Sequence, residues 1–272
     1  EVRCCCKGVF CLADGDGSGL SNIILWNPAT AQTKLLPIST LGGNAYARRR
    51  EAIGFGFDPE KNDYKVVRTL LCFTADEDID EFSEVYSLKN DSWRILAIQK
   101  AHSYPHTLHY SVPSDDGRFC YWWGPKLEFT SFDMRSEQFE DVHLIYPDAS
   151  MQTAFSVRSV SLVKGSTVVI FSDDSIDRLA PNELQTWVTL DFEDINGGLT
   201  MLSTIKSTKL NKCMHPVGIW KDKRCFLQRY DDGQLVVVDL EKGEVLPIEL
   251  QIQGDWESFK IFHYTPCEVS LE

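Results

Sequence analysis

Ile23-Ile24-Leu25-Trp26-Asn27-Pro28-Ala29-Thr30 decides the fold: an apolar run ends on a bulky residue and breaks into a polar turn. Asn can bond backbone groups two residues on and Pro presets φ, so a second strand can follow at once. The arrangement returns at Tyr86-Ser87-Leu88-Lys89-Asn90-Asp91, at Phe132-Asp133-Met134-Arg135-Ser136, around Trp187 with a longer connection, and at Val238-Asp239-Leu240-Glu241-Lys242-Gly243. Its mean period is about 53 residues. A second kind of turn alternates with it, at Lys7-Gly8, Lys61-Asn62-Asp63, Asp115-Asp116-Gly117, Lys164-Gly165, Asp222-Lys223 and Thr265-Pro266. Two alternating hairpins per period of roughly 50 residues predict four-stranded blades, and hence an all-β, kelch-like β-propeller. Six inner turns against five outer ones predict six blades with the last incomplete: in a closed ring its outer strands come from the chain before Glu1, and if nothing supplies them the terminal edge is exposed.

The rest of the chain agrees. Val66-Val67, Val168-Val169-Ile170 and Val236-Val237-Val238 are β-branched runs bounded by turn residues, and no capped amphipathic helix is visible. Gly54 and Gly56 alternate with Phe55 and Phe57, which leaves one strand face bare for close approach by another backbone. Trp26, Tyr86, Trp93, Trp122, Phe132, Trp187 and Trp220 sit beside turns, where each is expected to bury its ring against a neighbouring blade. The motif therefore reports fold, and specificity is expected in the loops.

The composition, 43% hydrophobic and 25% charged over 272 residues, excludes disorder and collagen, and no apolar run reaches a membrane span. With 27 Lys+Arg against 40 Asp+Glu the net charge is −13. Such a chain is a poor nucleic-acid or anionic-membrane binder and suits a basic partner. Nine cysteines without a C-x-x-C pair or signal peptide read as buried, reduced thiols of a cytoplasmic protein. The three adjacent ones, Cys4, Cys5 and Cys6, cannot converge on one ion from a strand. The closing Leu271-Glu272 reads as an appended tail.

The same strings carry a family resemblance. They are 23–30 (IILWNPAT), Leu35-Leu36-Pro37, 53–68 (IGFGFDPEKNDYKVVR), 84–93 (EVYSLKNDSW), Tyr121-Trp122, Ser131-Phe132-Asp133, 184–188 (LQTWV), 218–222 (GIWKD) and Val238-Asp239-Leu240. In this order they resemble the plant F-box-associated domain, in particular the S-locus F-box and S-locus-F-box-like proteins. The resemblance implies one kelch-like propeller domain over 1–272, without the N-terminal F-box that docks a Skp-type adaptor. It implies the substrate-recognition half of a Skp-cullin-F-box ubiquitin ligase, reaching adaptor and cullin only through that F-box. For the S-locus proteins it further implies S-ribonucleases, a basic class, as the pollen target.

No catalytic or cofactor motif supports an enzyme: there is no G-x-S-x-G elbow, phosphate loop, H-E-x-x-H or dinucleotide fingerprint. A hydrolase or sugar-binding propeller is therefore the weaker class, and no metal or cofactor is expected. Asp14-Gly15-Asp16-Gly17-Ser18-Gly19 imitates the start of a calcium loop, but its twelfth position is Leu25 where a Glu is needed. His102, His106 and His109 lack a completing ligand, and Cys213-x-His215 is a pair only. The run Asp76-Glu77-Asp78-Ile79-Asp80-Glu81-Phe82-Ser83-Glu84 packs carboxylates together with no cation and reads as a loop between strands. Asp173, Asp174 and Asp177 fall at the equivalent place in a later blade. Asp76, Glu77, Asp78, Asp80, Glu81, Glu84, Asp173, Asp174 and Asp177 are the expected partner-binding residues, forming two acidic loops on one face.

Overall fold

The structure, a computed structural model, describes residues 1–15, 20–39, 41, 48–73, 79–97, 111–123, 129–142, 155–163, 166–173, 183–189, 200–206, 214–220, 224–229, 232–239, 241–242, 244–246, 248, 261–262 and 264–271. Five four-stranded sheets account for the strands among them, each an antiparallel meander in chain order. The first is β1 (Val2–Cys6), β2 (Val9–Ala13), β3 (Ile23–Asn27) and β4 (Gln32–Leu35). The second is β5 (Arg48–Asp58), β6 (Asp63–Phe73), β7 (Ile79–Ser87) and β8 (Ser92–Ile95). The third is β9 (Val112–Pro113), β10 (Phe119–Trp123), β11 (Phe129–Asp133) and β12 (Gln138–Val142). The fourth is β13 (Phe155–Val163), β14 (Ser166–Asp173), β15 (Glu183–Thr189) and β16 (Thr200–Lys206). The fifth is β17 (Met214–Trp220), β18 (Arg224–Arg229), β19 (Leu235–Asp239) and β20 (Glu244–Leu246). The chain divides into two compact units: the first three sheets with the segment His263–Glu272, and a unit holding the fourth and fifth sheets. Among the described residues no helix is long and apolar enough to cross a membrane.

Turn chemistry explains why the meander repeats. Asn27 Oδ1 accepts from the Ala29 amide at 3.0 Å, Asp133 Oδ1 from Arg135 at 2.9 Å and Asp239 Oδ1 from Glu241 at 3.0 Å. Ser87 Oγ does the same job for the Asn90 amide at 3.2 Å. Each is the last residue of its sheet's third strand. The residue just before β4, β8 and β12 is left-handed in every case: Ala31 at φ 56°, Asp91 at 49° and Glu137 at 57°. The repeat is thus held by backbone geometry even where residue types differ.

In the first unit the second sheet packs one face on the first sheet and the other on the third. Cys4, Cys6, Val9, Cys11, Leu25, Ile53, Phe55, Val66 and Tyr86 form one core, and Ala52, Val67, Val85, Trp122 and Phe132 belong to the other. The bare glycine face is used as expected. A Cβ on Gly54 would lie 2.4 Å from Trp122 Cζ2, and one on Gly56 would lie 2.5 Å from the Gly117 carbonyl. That closeness lets Phe57 donate its amide to the Gly117 oxygen at 2.7 Å.

Polar side chains tie the three sheets at the turn end. Lys65 Nζ, on a residue 2% exposed, donates to Asp58 at 2.8 Å, Glu137 at 2.8 Å and the Met134 carbonyl at 2.6 Å. Burial raises the Asp58 carboxyl, but Lys65 and two turn amides outweigh it and hold the acid below its usual range. Tyr64 Oη donates to the Lys7 carbonyl at 3.0 Å, and Trp93 Nε1 to the Pro37 carbonyl at 2.7 Å.

Three expectations change. Trp26 is 37% exposed, so it does not bury its ring as Tyr86, Trp122 and Phe132 do, and Trp93 is half-buried. Its position in β3 alternates outward from the core side of Ile23 and Leu25, and it leans on Phe10 at 5.5 Å. Thr265-Pro266 turns no described hairpin: residues 264–271 carry no strand, and the arm expected before them lies outside the described residues. Leu271 is not an appended tail but a core residue, 2% exposed. The segment reaches it by side-chain clasps. Asn27 Nδ2 donates to the carbonyls of Cys267 at 3.1 Å and Val269 at 2.8 Å, and the Leu271 amide donates to Gln32 at 3.1 Å.

Candidate partner-binding surface

The second sheet is longer than its neighbours in the same unit. β5 and β6 have 11 residues each, against 5 in β1, β2 and β10. Its far end therefore continues beyond the level at which Gly54 meets Trp122. The acidic run falls on this end, and 79–84 is strand, not loop: β7 begins at Ile79 and pairs with β6 throughout. Within it Phe82 and Val85 pair with Leu70 and Val67 of a β6 that is buried along nearly its whole length. Asp76, Glu77 and Asp78 lie outside the described residues.

The register sorts the charges. Asp80 pairs with Cys72, which pairs with Arg49, and Glu81 pairs with Leu71, which pairs with Arg50. Cross-strand partners share a face, and strands lie about 4.8 Å apart, so each acid stands about 10 Å from an arginine of its own row. The sequence window looked free of cations because the cations come from the triplet Arg48-Arg49-Arg50, thirty residues earlier, which reading the acids alone overlooked. Asp80 is exposed and Glu81 half-buried. Burial alone lifts the Glu81 carboxyl to about 7. The surface is therefore an acidic strand and a basic one flanking β6, not a uniformly acidic rim.

Glu84 is the opposite case. It is 0% exposed, and its Oε1 lies 3.4 Å from Arg68 Nη1. Arg68 also contacts Glu51 at 2.9 Å, donates to the Ser21 carbonyl at 2.8 Å, and lies 4.8 Å from the Trp93 ring centre. Burial raises the carboxyls of both Glu51 and Glu84, with Arg68 pulling each the other way. Two carboxylates thus share one guanidinium inside a core, which takes Glu84 away from the exposed surface. Strand alternation explains it: Asp80, Phe82 and Glu84 share one face, and only its inner end is covered.

The remaining candidates separate cleanly. Asp173 closes β14, while Asp174, Asp177, His102, His106, His109 and Cys213 lie outside the described residues. Asp14 caps its own loop, accepting from the Asn22 amide at 2.8 Å and side chain at 2.6 Å, and these bonds lower its carboxyl. Asp116 accepts from the Arg118 amide at 2.9 Å, as a turn residue does. Among the described residues no group of three or more His, Cys, Asp and Glu is placed to hold a metal ion. Cys4, Cys5, Cys6, Cys11, Cys72, Cys120 and Cys225 are buried thiols, and burial pushes Cys5, Cys11, Cys120 and Cys225 up to about 12. Such thiols are poor nucleophiles.

Comparison with known proteins completes the assignment. The F-box protein CPR1 of Arabidopsis thaliana is 26% identical over 266 residues, covering 86% of this chain and 61% of its own length. The putative F-box protein At3g23260 of the same plant is 25% identical over 178 residues, covering 61% of this chain and 44% of its own. The chain thus spans about three-fifths or less of the length of these relatives. An oligogalacturonate lyase solved in complex with manganese superposes with a TM-score of 0.51 at 9% identity, covering 88% of this chain and 61% of that one, a likeness of fold alone. The model of the F-box associated beta propeller domain matches residues 2–269, from the first strand to the segment clasped by Asn27. On that match the chain belongs to the F-box associated β-propeller domain family.

Proposed function

We propose that this chain is the substrate-recognition half of an F-box protein in a Skp-cullin-F-box ubiquitin ligase, and that its target is a basic protein of the S-ribonuclease class. The observation that carries this reading is the family match over 2–269 together with exposed Asp80 and half-buried Glu81 at the far end of β7. Asp76, Glu77 and Asp78 extend the same acidic stretch in sequence, and Asp173, Asp174 and Asp177 are proposed to form a second acidic patch. Adaptor and cullin are reached through an F-box outside this chain. Recognition is non-catalytic and works in the cytoplasm, by charge steering to the acidic strand and by surface contacts. The period of roughly 50 residues and the five meander sheets support a kelch-like ring whose sixth blade needs strands from outside the described residues.

A pull-down of the full-length protein against a panel of S-ribonucleases at low and high salt tests the target. Selective, salt-sensitive capture is expected, and Asp76, Glu77, Asp78 and Asp80 changed together to Lys should abolish it. No selective binding to any member would leave the second reading, a plant F-box adaptor for another protein. The likeness to Arabidopsis F-box proteins favours that alternative.

A further inference from the structure

We propose that Glu51 and Glu84 share one proton in the folded protein, held on Glu84, and that this proton couples closure of the second sheet's far end to pH. Both acids are buried, Glu84 at 0% exposure and Glu51 at 5%, and both meet the buried guanidinium of Arg68. Their contacts are unequal. Glu51 Oε1 lies 2.9 Å from Arg68 Nε, and its carboxylate also accepts from the Ser21 amide at 3.2 Å and the Ser21 hydroxyl at 2.5 Å. Glu84 meets Arg68 at 3.4 Å through Oε1, while its Oε2 is buried without a hydrogen-bond partner. An ionised carboxylate left half-bonded in a core is strongly disfavoured, and a proton on it removes the charge. The Ser39 hydroxyl faces the same carboxyl and can accept from that proton.

The surrounding charges agree. Arg68 is the cation that touches both acids. Arg3 faces them from β1, but its guanidinium is bonded to Glu1 at 3.3 Å and to the Gly15 carbonyl. Arg49 and Asp80, opposite in sign, stand two rows further out on the same sheet face. From β2 the Cys11 thiol, pushed up to about 12 by burial, stays neutral. Ser21, Ser39 and Trp93 face the cluster without charge. Burial raises both carboxyls against the pull of Arg68, and the negative charge of Glu51 raises Glu84 further. The two titrate as a pair, Glu51 giving up its proton first and Glu84 second.

The cluster also holds down its own cover. The Arg68 guanidinium lies 4.8 Å from the Trp93 ring centre, the Trp93 indole donates to the Pro37 carbonyl at 2.7 Å, and Ser39 meets Glu84 two residues on. The chain leaving β4 is thus pinned over the acids, with Leu36 and Leu41 buried. When the proton passes to solvent, two carboxylates are left on one guanidinium and this cover loosens. In the unfolded chain both glutamates ionise in their ordinary range, whereas folded Glu84 ionises above it. Between those limits the folded chain binds one more proton, so stability falls as pH rises, by up to about tenfold in the folding constant per pH unit.

Urea unfolding across pH, on the full chain and on Glu84→Gln, the neutral isostere of the protonated acid, tests this. The two folding constants should be alike below the ordinary glutamate range. They should diverge in favour of Glu84→Gln as pH rises, approaching about tenfold per pH unit. In a Glu51→Gln background the divergence should vanish, because Glu84 then has Arg68 to itself. Infrared difference spectra of the full chain against Glu84→Gln should show a protonated carboxyl that outlasts the exposed ones, a readout that stands even if Glu51→Gln fails to fold. Amide exchange over 36–39, corrected for its intrinsic pH dependence, should quicken in the full chain as that carboxyl ionises and stay level in Glu84→Gln. Parallel unfolding profiles, a carboxyl band lost together with the exposed ones, or exchange over 36–39 that ignores the substitution would overturn the proposal.

Discussion

The two ends of the second sheet are built from the same three strands and obey different rules. At the turn end Asp58, Lys65 and Glu137 form one largely buried cluster, and Gly54 and Gly56 let the third sheet press against the backbone. At the far end Arg49 and Arg50 stand across β6 from Asp80 and Glu81, and Asp80 is exposed. The family strings FGFDP and YKVVR map to the first end. The residues that carry the family strings thus include those that hold sheets together, while the charges of the acidic run lie where the strands outrun their neighbours.

The contrast can be broken hardest at the turn end. Lys65→Ala takes the buried cation from Asp58 and Glu137, leaving them the exposed Lys61 and, on Glu137, Arg94, and should cost about 3 kcal/mol in urea unfolding. Gly56→Ala drives a methyl into the Gly117 carbonyl and should cost about 1–3 kcal/mol. A loss below about 0.5 kcal/mol in either would mean that the turn end is not the tie the structure indicates. Asn27→Ala should be milder, about 1–2 kcal/mol, because it removes a turn cap and the clasp on the C-terminal segment together. Its local signature is faster amide exchange across 264–271, with the β6 amides unchanged.

At the far end the effects on stability should be small. Glu81 is ordinarily half-ionised near pH 4.5 and in the fold near 7. The folded chain thus binds more protons than the unfolded chain between those values, so stability falls as pH rises through this window and levels off above it. Glu81→Gln should remove that slope, gaining about 1 kcal/mol at pH 8 after allowance for solvent screening and nothing at pH 4. Parallel pH profiles for the two proteins would show that Glu81 is not held away from water.

Most of the fold was legible because it is written locally. Asn27, Asp58, Asp133 and Asp239 announce turns through bonds to amides two residues away, and the alternating glycines announce close approach. What was not legible depends on partners distant in sequence. The acidic run concealed two destinies, since alternation sends Glu84 into a core toward Arg68 and leaves Asp80 at the surface, and only register decides how far the cover extends. The arginine triplet meets the acids only through β6. Leu271 and Cys267 gave no periodic signal, because 264–271 is held by side chains of β3 and β4 and not by a ladder.

The division between the two ends is tested most directly by titrating a basic S-ribonuclease into the full-length protein and into its Asp80→Lys/Glu81→Gln variant at low ionic strength, with circular dichroism confirming equal folding. The account predicts a Kd at least about tenfold weaker for the variant, about 1.4 kcal/mol, with the gap closing as salt is raised. Equal Kd values at low salt would contradict it and place recognition elsewhere on the molecule.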